Sequence, residues 1–333
     1  MNNQELIEKF GRPFSVGEAY EIFPGFPVYS FMIFLGMVFA ILTIAFFWKR
    51  ENLNFDHLFV LIIITIPSSI IGARLGFIFE QISVGNGGSL KDNWWNIRSG
   101  GLSIQWGVIL SASLDLVYVF IKRKELDYRK CLSIILPTVL IGQAVGRWGN
   151  FTNHEVYGKQ DLTGEWTLWL GPIISKNMFI SDAVYPNGAL RIPLFFYEFL
   201  TSLIGYIIIV WILNFFNWLK PGVTAGFYLI WYGIVRSSME FLREESYVIY
   251  FVLAIFYIIF GIALSVYYQF FGNYVYKIVD KKLKIEKRER YKAEKKPIGK
   301  AYWIFYERIN YEIQEQQTDA QKQLKLEKNT NKM

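Results

Sequence analysis

Several stretches of this chain are each long and apolar enough to cross a lipid bilayer, and nothing else in the sequence limits the fold as much. They lie at roughly 28–48, 57–80, 102–121, 131–149, 192–216, 222–241 and 248–272, and a hydrocarbon core of about 30 Å needs about 20 such residues per helix. The reading is therefore an all-α polytopic integral membrane protein of about seven transmembrane helices, with a small external head and a charged cytoplasmic C-terminal tail. A hydrophobic share of 53% agrees, being too high for an ordinary soluble domain. Glu5, Glu8, Glu18 and Glu21 precede the first stretch, which lacks the basic start of a cleaved leader and reads as a retained span.

Charge sets the orientation. The formal net charge of +7 sits mostly in the last sixty or so residues, so it speaks for membrane topology and against nucleic acid. Lys49 and Arg50, then Lys122, Arg123, Lys124, Arg129 and Lys130, then Lys220, then the tail occupy alternate connections. By the positive-inside rule these are cytoplasmic and the N-terminus is outside. The division that follows is an external segment 1–27, a membrane body 28–272 with a head at about 150–191, and a basic tail 273–333. Trp94, Trp95, Trp166 and Trp169 fall in external loops near the interface, where indoles are favoured. The tail, with an aromatic patch at Tyr302, Trp303, Phe305 and Tyr306, reads as solvated with a helical stretch. The alternative is a helix lying on anionic lipid. The single cysteine, Cys131, rules out an internal disulfide.

With the orientation set, the polar residues of the spans collect in the outer leaflet: Tyr29, Arg74, Gln105, Arg147, Asn150, Glu198, Tyr232, Arg236, Glu240 and Arg243. The inner halves read as almost wholly apolar. An arginine at mid-bilayer costs about 2.5–3.5 kcal/mol on insertion scales, so it faces a bundle interior or a watery cavity and has a partner or a task. Tyr232, Arg236, Glu240 and Arg243 follow at intervals of four, four and three, which places them on one helical face. Gln143 and Arg147 are likewise four apart, and "GARLG" and "GQAVG" are patterns that let helices approach closely. Each arginine taken alone fits a structural ion pair or a side chain reaching up to the headgroups. Arg74, Arg147 and Arg236 together fit a cavity that grips a phosphate bidentately, and in an outer leaflet that phosphate belongs to a lipid.

The stretch "GRWGNFTNHEVYG" (146–158) resembles the signature of the bacterial prolipoprotein diacylglyceryl transferases. "SGGLSIQWG" resembles that family's glycine–histidine turn, "RIPLFFYEF" its R-x-P-x-x-x-Y-E element and "WYGIVRSSMEFLRE" its Y-G-x-x-R-x-x-x-E-F-x-R helix. The resemblance runs from about Tyr29 to Arg243 and leaves out the tail. It implies a seven-helix body in the bacterial cytoplasmic membrane with its active site open to the outer leaflet. It also implies transfer of the sn-1,2-diacylglyceryl group from phosphatidylglycerol to the lipobox cysteine of a prolipoprotein signal peptide, releasing glycerol phosphate. Arg147 and Arg236 would be the essential cations. Tyr29, Asn150, Glu155, Gly158 and Tyr232 would match other important positions, with Arg74, Glu240 and Arg243 in support.

One position departs from the pattern. Where the family usually carries histidine and glycine, this chain has Gln105 and Trp106. A histidine could accept the thiol proton near neutral pH, and glutamine cannot. Three alternatives stand: the proton goes to Glu155 or to the phosphate; His154 acts in place of the missing base, or is an ordinary polar loop residue; or the chain binds lipid without catalysis. A reading from another class, an anionic-solute transporter, would need polar groups along a path to both faces. No Cys, His and carboxylate set has metal-ligand spacing, and no cofactor is expected.

Overall fold

The computed structural model describes residues 3–83, 94, 101–244, 248–272, 274–279 and 282–287. In chain order its elements are α1 (Asn3–Phe10), β1 (Phe14–Ser15), β2 (Glu21–Phe23), β3 (Phe26–Pro27), α2 (Val28–Arg50), α3 (Phe55–Ser83), α4 (Ile104–Ile121) and α5 (Tyr128–Thr152). There follow α6 (Pro172–Asn177), β4 (Phe179–Ser181), β5 (Ala189–Leu190), α7 (Leu194–Asn214), α8 (Val223–Glu240), α9 (Val248–Phe271), β6 (Tyr274–Val279) and β7 (Lys282–Lys287). A helix stands at each apolar segment named above. Of these, α2, α3, α5, α7 and α9 are long and apolar enough to cross a membrane. The α4 helix is shorter, and α8 carries Arg236 and Glu240, which lower its apolarity.

The chain divides into two compact units, one spanning Thr43–Cys131 and one built from the described residues on either side of it. In the Thr43–Cys131 unit α3 and α4 pack antiparallel, because glycines remove the side chains that would hold them apart. A Cβ on Gly72 would lie 2.8 Å from the Trp106 carbonyl, one on Gly107 would lie 2.7 Å from that of Ser69, and one on Gly76 would enter the Trp106 ring. Arg74 sits here, donating from Nε to the Trp94 carbonyl (2.8 Å) and from Nη1 to that of Gly101 (2.9 Å). Glu80 accepts from Ser103 Oγ (2.9 Å) and Trp106 Nε1 (3.1 Å). Gln105 lies exposed in the first turn of α4. Lower in the pair, Thr65 Oγ1 donates to Asp115 Oδ2 (2.7 Å), and His57 Nδ1 meets the Tyr118 hydroxyl at 2.8 Å.

In the other unit α8 and α9 are in the closest contact, with a Cβ on Gly226 falling 2.6 Å from the Gly261 carbonyl and one on Gly233 2.6 Å from that of Ala254. The first half of α2 meets α5 at Gly36, where a Cβ would stand 3.0 Å from the Gly142 carbonyl; Gly146, the other glycine of that motif, borders open space. Asn214, in the wide π-turns that end α7, donates to the Ser133 carbonyl (2.6 Å) and accepts from Thr224 Oγ1 (2.8 Å). Asp115 in one unit and this knot in the other are polar groups within the apolar helices, tied locally to side-chain hydroxyls and backbone carbonyls.

A small cap is built from the N-terminal segment and the connection between α5 and α7. Helix α1 buries Leu6 and Phe10 against Met178, Phe179, Ile180, Leu190 and Phe195. Strand β1 pairs in parallel with β4, which pairs antiparallel with β5. The segment read from sequence as a separate N-terminal piece is thus one layer of this cap. Each fully buried large apolar side chain here contributes about 1.5–3 kcal/mol. Asp161 accepts from the amides of Gly164 and Trp166 and from Thr167 Oγ1, fixing the loop before α6. Beyond α9, β6 and β7 form an antiparallel hairpin where the sequence reading had charged tail. Trp95 and the aromatic patch of the tail lie outside the described residues.

Two outcomes are expected of the cap. Phe179→Ala removes a wholly buried ring and lowers stability by about 3–5 kcal/mol, read as a shifted thermal melt of the detergent-solubilised protein. The second concerns acid. Burial opposes ionisation of Asp182, but the Tyr185 amide, the Tyr157 hydroxyl, Arg191 and the Val184 amide outweigh it and hold the carboxyl below its usual range. A depressed carboxylate stabilises the fold above its unfolded pKa of about 3.9 and loses that contribution as pH falls through the folded value. Proteolysis of the cap should therefore stay constant from pH 7 to 5 and accelerate only below about 4.

Candidate active site

Helix periodicity presents the polar residues on three faces that meet. On α5, Gln143, Arg147 and Asn150 share one side; on α8, Tyr232, Arg236 and Glu240 do, with Arg243 one turn on; α7 contributes Glu198. Glu198, only 4% exposed, sits between two of the cations: Arg147 Nε lies 2.5 Å from its Oε2 and Arg243 Nη2 2.6 Å from its Oε1. Glu240 is as deeply buried and takes Arg236 Nη2 at 3.2 Å and Arg243 Nε at 3.8 Å. Arg147 and Arg236 are thereby the ends of one chain of ion pairs running through Glu198, Arg243 and Glu240. Three guanidinium groups share two carboxylates, so this set keeps an excess positive charge.

The turn after α5 adds a second carboxylate system. Asn150 Nδ2 donates to Glu155 Oε1 (2.8 Å) and Asn153 Nδ2 to Oε2 (2.9 Å), while Arg147 Nη1 donates to Asn150 Oδ1 (3.2 Å). His154 and Val156 hold φ of 48° and 57°, conformations that cost of order 1–3 kcal/mol for residues with a side chain. That strain turns Glu155 back onto the two asparagines. Gly158 then threads between chains: a Cβ there would stand 2.8 Å from Ile192 Cβ and 2.8 Å from the Leu242 carbonyl. Its amide donates to the Ile192 carbonyl (2.9 Å), and the residue bridges Arg243. Tyr29 packs over Gly149, whose Cβ would reach the phenol ring at 2.9 Å. Tyr232 stacks on Tyr228 at 6.1 Å, and Arg236 lies over the Tyr250 ring at 5.1 Å.

A cavity of about 630 Å³ opens beside this network, its wall including Arg236, Arg243, Glu155, Tyr157, Asp182 and Glu244. Arg147 is not on that wall; it is joined to it through Glu198 and through Asn150 to Glu155. His154 has another occupation. It is 2% exposed and stacked on Phe14 at 4.2 Å, with Nδ1 2.6 Å from the Glu18 carbonyl and Nε2 3.0 Å from Asn177 Oδ1. With both nitrogens engaged inside the cap, the ring is a post for the N-terminal segment, not a free base. Arg74 and Gln105 belong to the Thr43–Cys131 unit, with the partners already given. Among the described residues no group of three His, Cys, Asp or Glu side chains is arranged to hold a metal ion.

Sequence reasoning left three participants out of the site. Glu198 was named only among the polar residues of the spans, and Arg191 and Glu244 were quoted inside motifs without a task. Arg191 is 0% exposed, with Nη1 2.9 Å from Glu244 Oε2, Nη2 on Asp182 Oδ2, and the Tyr157 and Tyr185 rings at 5.1 and 4.5 Å. Burial and the hydrogen bond to Asp182 push the Tyr157 phenol well above its usual range, so it stays protonated and donating.

The family profile described as prolipoprotein diacylglyceryl transferase matches residues 19–268. A protein of Mycoplasmopsis pulmonis (strain UAB CTIP), named phosphatidylglycerol–prolipoprotein diacylglyceryl transferase, is 52% identical over 265 residues, covering 78% of this chain and 82% of its own length. Proteins of the same name from Streptococcus sanguinis (strain SK36) and Mycoplasmoides gallisepticum (strain R) are 34% and 32% identical, over 66% and 74% of this chain and 80% and 72% of theirs. With ion-paired arginines on converging helices, a glycine-threaded signature turn and a match across three quarters of its length, the chain belongs to the prolipoprotein diacylglyceryl transferase family.

Proposed function

We propose that this protein transfers the diacylglyceryl group of phosphatidylglycerol to the lipobox cysteine thiol of prolipoproteins. It acts as a multi-pass protein of the bacterial cytoplasmic membrane, with seven crossings, the N-terminus and cap outside and the basic tail in the cytoplasm. The observation that carries the reading is the run of ion pairs from Arg147 through Glu198, Arg243 and Glu240 to Arg236, opening on the cavity.

In the reaction the thiolate sulfur forms a bond to glycerol C3 as the C3–O bond breaks. The electron pair leaves on a phosphate oxygen, and glycerol phosphate departs. Arg236 and Arg243 line the cavity and hold Glu240 at 3.2 and 3.8 Å, looser contacts than those to Glu198. They can exchange Glu240 for the lipid phosphate while Glu198 keeps Arg147 and Arg243 in place. The excess positive charge of the set then stabilises the thiolate and the leaving oxygen. The thiol proton goes to Glu155, which Asn150 and Asn153 hold on the cavity wall, or to the phosphate. Gln105 takes no proton.

Purified protein, vesicles of phosphatidylglycerol and a lipobox peptide should give a diacylglyceryl thioether by mass spectrometry, and a Cys-to-Ser peptide none. Protein that binds the lipid but never yields the adduct would mean a non-catalytic relative. Arg147→Ala and Arg236→Ala should each cut the rate by at least about 100-fold, the usual scale for removing one oxyanion donor; near-normal rates would refute the assignment. His154→Ala should lower the melting temperature and leave the shape of the pH–rate profile alone. A shifted profile would restore His154 as a base.

A further inference from the structure

The cavity wall carries a group that the ion-pair network does not use. Glu244 follows Arg243 directly and its side chain is 21% exposed. Its Oε2 is fixed by Arg191 Nη1 at 2.9 Å, and among the described residues Oε1 has no hydrogen-bond partner. Asp182, the other carboxylate on Arg191, is in a different state. Its Oδ1 accepts from the Val184 and Tyr185 amides, and its Oδ2 from Tyr157 and Arg191. Of the two, Asp182 is saturated and structural, whereas Glu244 is oriented and still able to accept.

We infer that Glu244, aimed by Arg191, is the specificity-determining residue for the lipid headgroup, accepting hydrogen bonds from the glycerol hydroxyls while Arg236 and Arg243 hold the phosphate. This rests on the diacylglyceryl-transfer reading and names what that site selects. A phosphate on the two arginines presents its next substituent to the neighbouring wall, where Glu244 needs a donor. The donor is a headgroup hydroxyl: the Arg191 guanidinium offsets the charge of Glu244, and the lone pairs of Oε1 stay available. The Arg191 guanidinium is itself locked between the Tyr157 and Tyr185 rings, so little freedom is lost when the headgroup binds.

The test uses the full-length protein in detergent with two lipids of identical acyl chains and charge: phosphatidylglycerol, and phosphatidyl-1-propanol, whose head has no hydroxyl. Adduct formation on the lipobox peptide gives kcat/KM for each, and native mass spectrometry gives bound lipid. Wild type should favour phosphatidylglycerol by about 10- to 100-fold, the scale of hydrogen bonds to a charged acceptor. Glu244→Ala should bring that ratio close to one. If Glu244→Ala does not fold, Glu244→Gln keeps the shape, and the ratio must fall in it too. Arg191→Lys keeps the charge without the fork and should move the ratio the same way. An unchanged ratio in the Glu244 variants, or none in wild type, overturns the inference. If wild type forms no adduct but binds phosphatidylglycerol over the propanol lipid in a Glu244-dependent way, the subsite stands and the transferase reading fails.

Discussion

A single buried carboxylate, Glu198, holds the site together. It engages Arg147 from α5 and Arg243 from the end of α8, at 2.5 and 2.6 Å, from a position in α7 that water hardly reaches. Guanidinium groups at such depth are tolerable only with compensation, and a carboxylate there is tolerable only with them. Each partner therefore fixes the others, and the separation of three helices follows from the reach of two arginine side chains. The lipid-facing surfaces of these helices are nonspecific by comparison. Apolar side chains in hydrocarbon distinguish poorly between neighbours, so position is set by the polar contacts and by glycines such as Gly36 and Gly233.

The cap extends the same constraint into the backbone. The chain at 158–161 runs between two others: the amides of Gly158 and Asp161 donate to the Ile192 and Leu190 carbonyls, and that of Lys159 to Leu242. The end of α8, where Arg243 begins to point at Glu198, is thus stitched to the entry of α7 through the signature turn. Arg191 repeats the link with side chains by holding Asp182 and Glu244 together. A change in the cap is therefore felt at Arg243, which Glu198 holds.

Much of this was legible in the sequence. Spacing alone put Tyr232, Arg236, Glu240 and Arg243 on one face, and apolar length alone placed the helices. Two kinds of information were not local enough to read. The parallel pairing of Phe14–Ser15 with Ile180–Ser181 joins residues more than 160 positions apart, and two-residue strands leave no periodic trace. Ion-pair partnership was similarly hidden, because spacing along the chain does not say which carboxylate meets which arginine. The structure gives Glu198 to Arg147 and Arg243, Glu155 to two asparagines, and Glu80 to Ser103 and Trp106. Two roles stayed open for His154 because its neighbours in sequence belong to the site; its ring is buried in the cap, on Phe14.

The charge count of the network bears on how such a site accelerates the proposed transfer. The lipid arrives as a phosphodiester with one negative charge, and the phosphate leaves as a monoester approaching two. The sulfur begins as a thiolate and ends neutral in a thioether. Total charge is conserved, but it migrates from sulfur to phosphate oxygen as the C3–O bond breaks. Cations placed around the phosphate bind the transition state more tightly than the diester, and this difference accelerates chemistry where uniform binding would not. Arginines already committed to buried carboxylates suit that task. They are held in position before substrate arrives, so little reorganisation is required as the charge moves. The looser contacts to Glu240 let two of them turn to the phosphate, and the tight ones to Glu198 keep the frame from following.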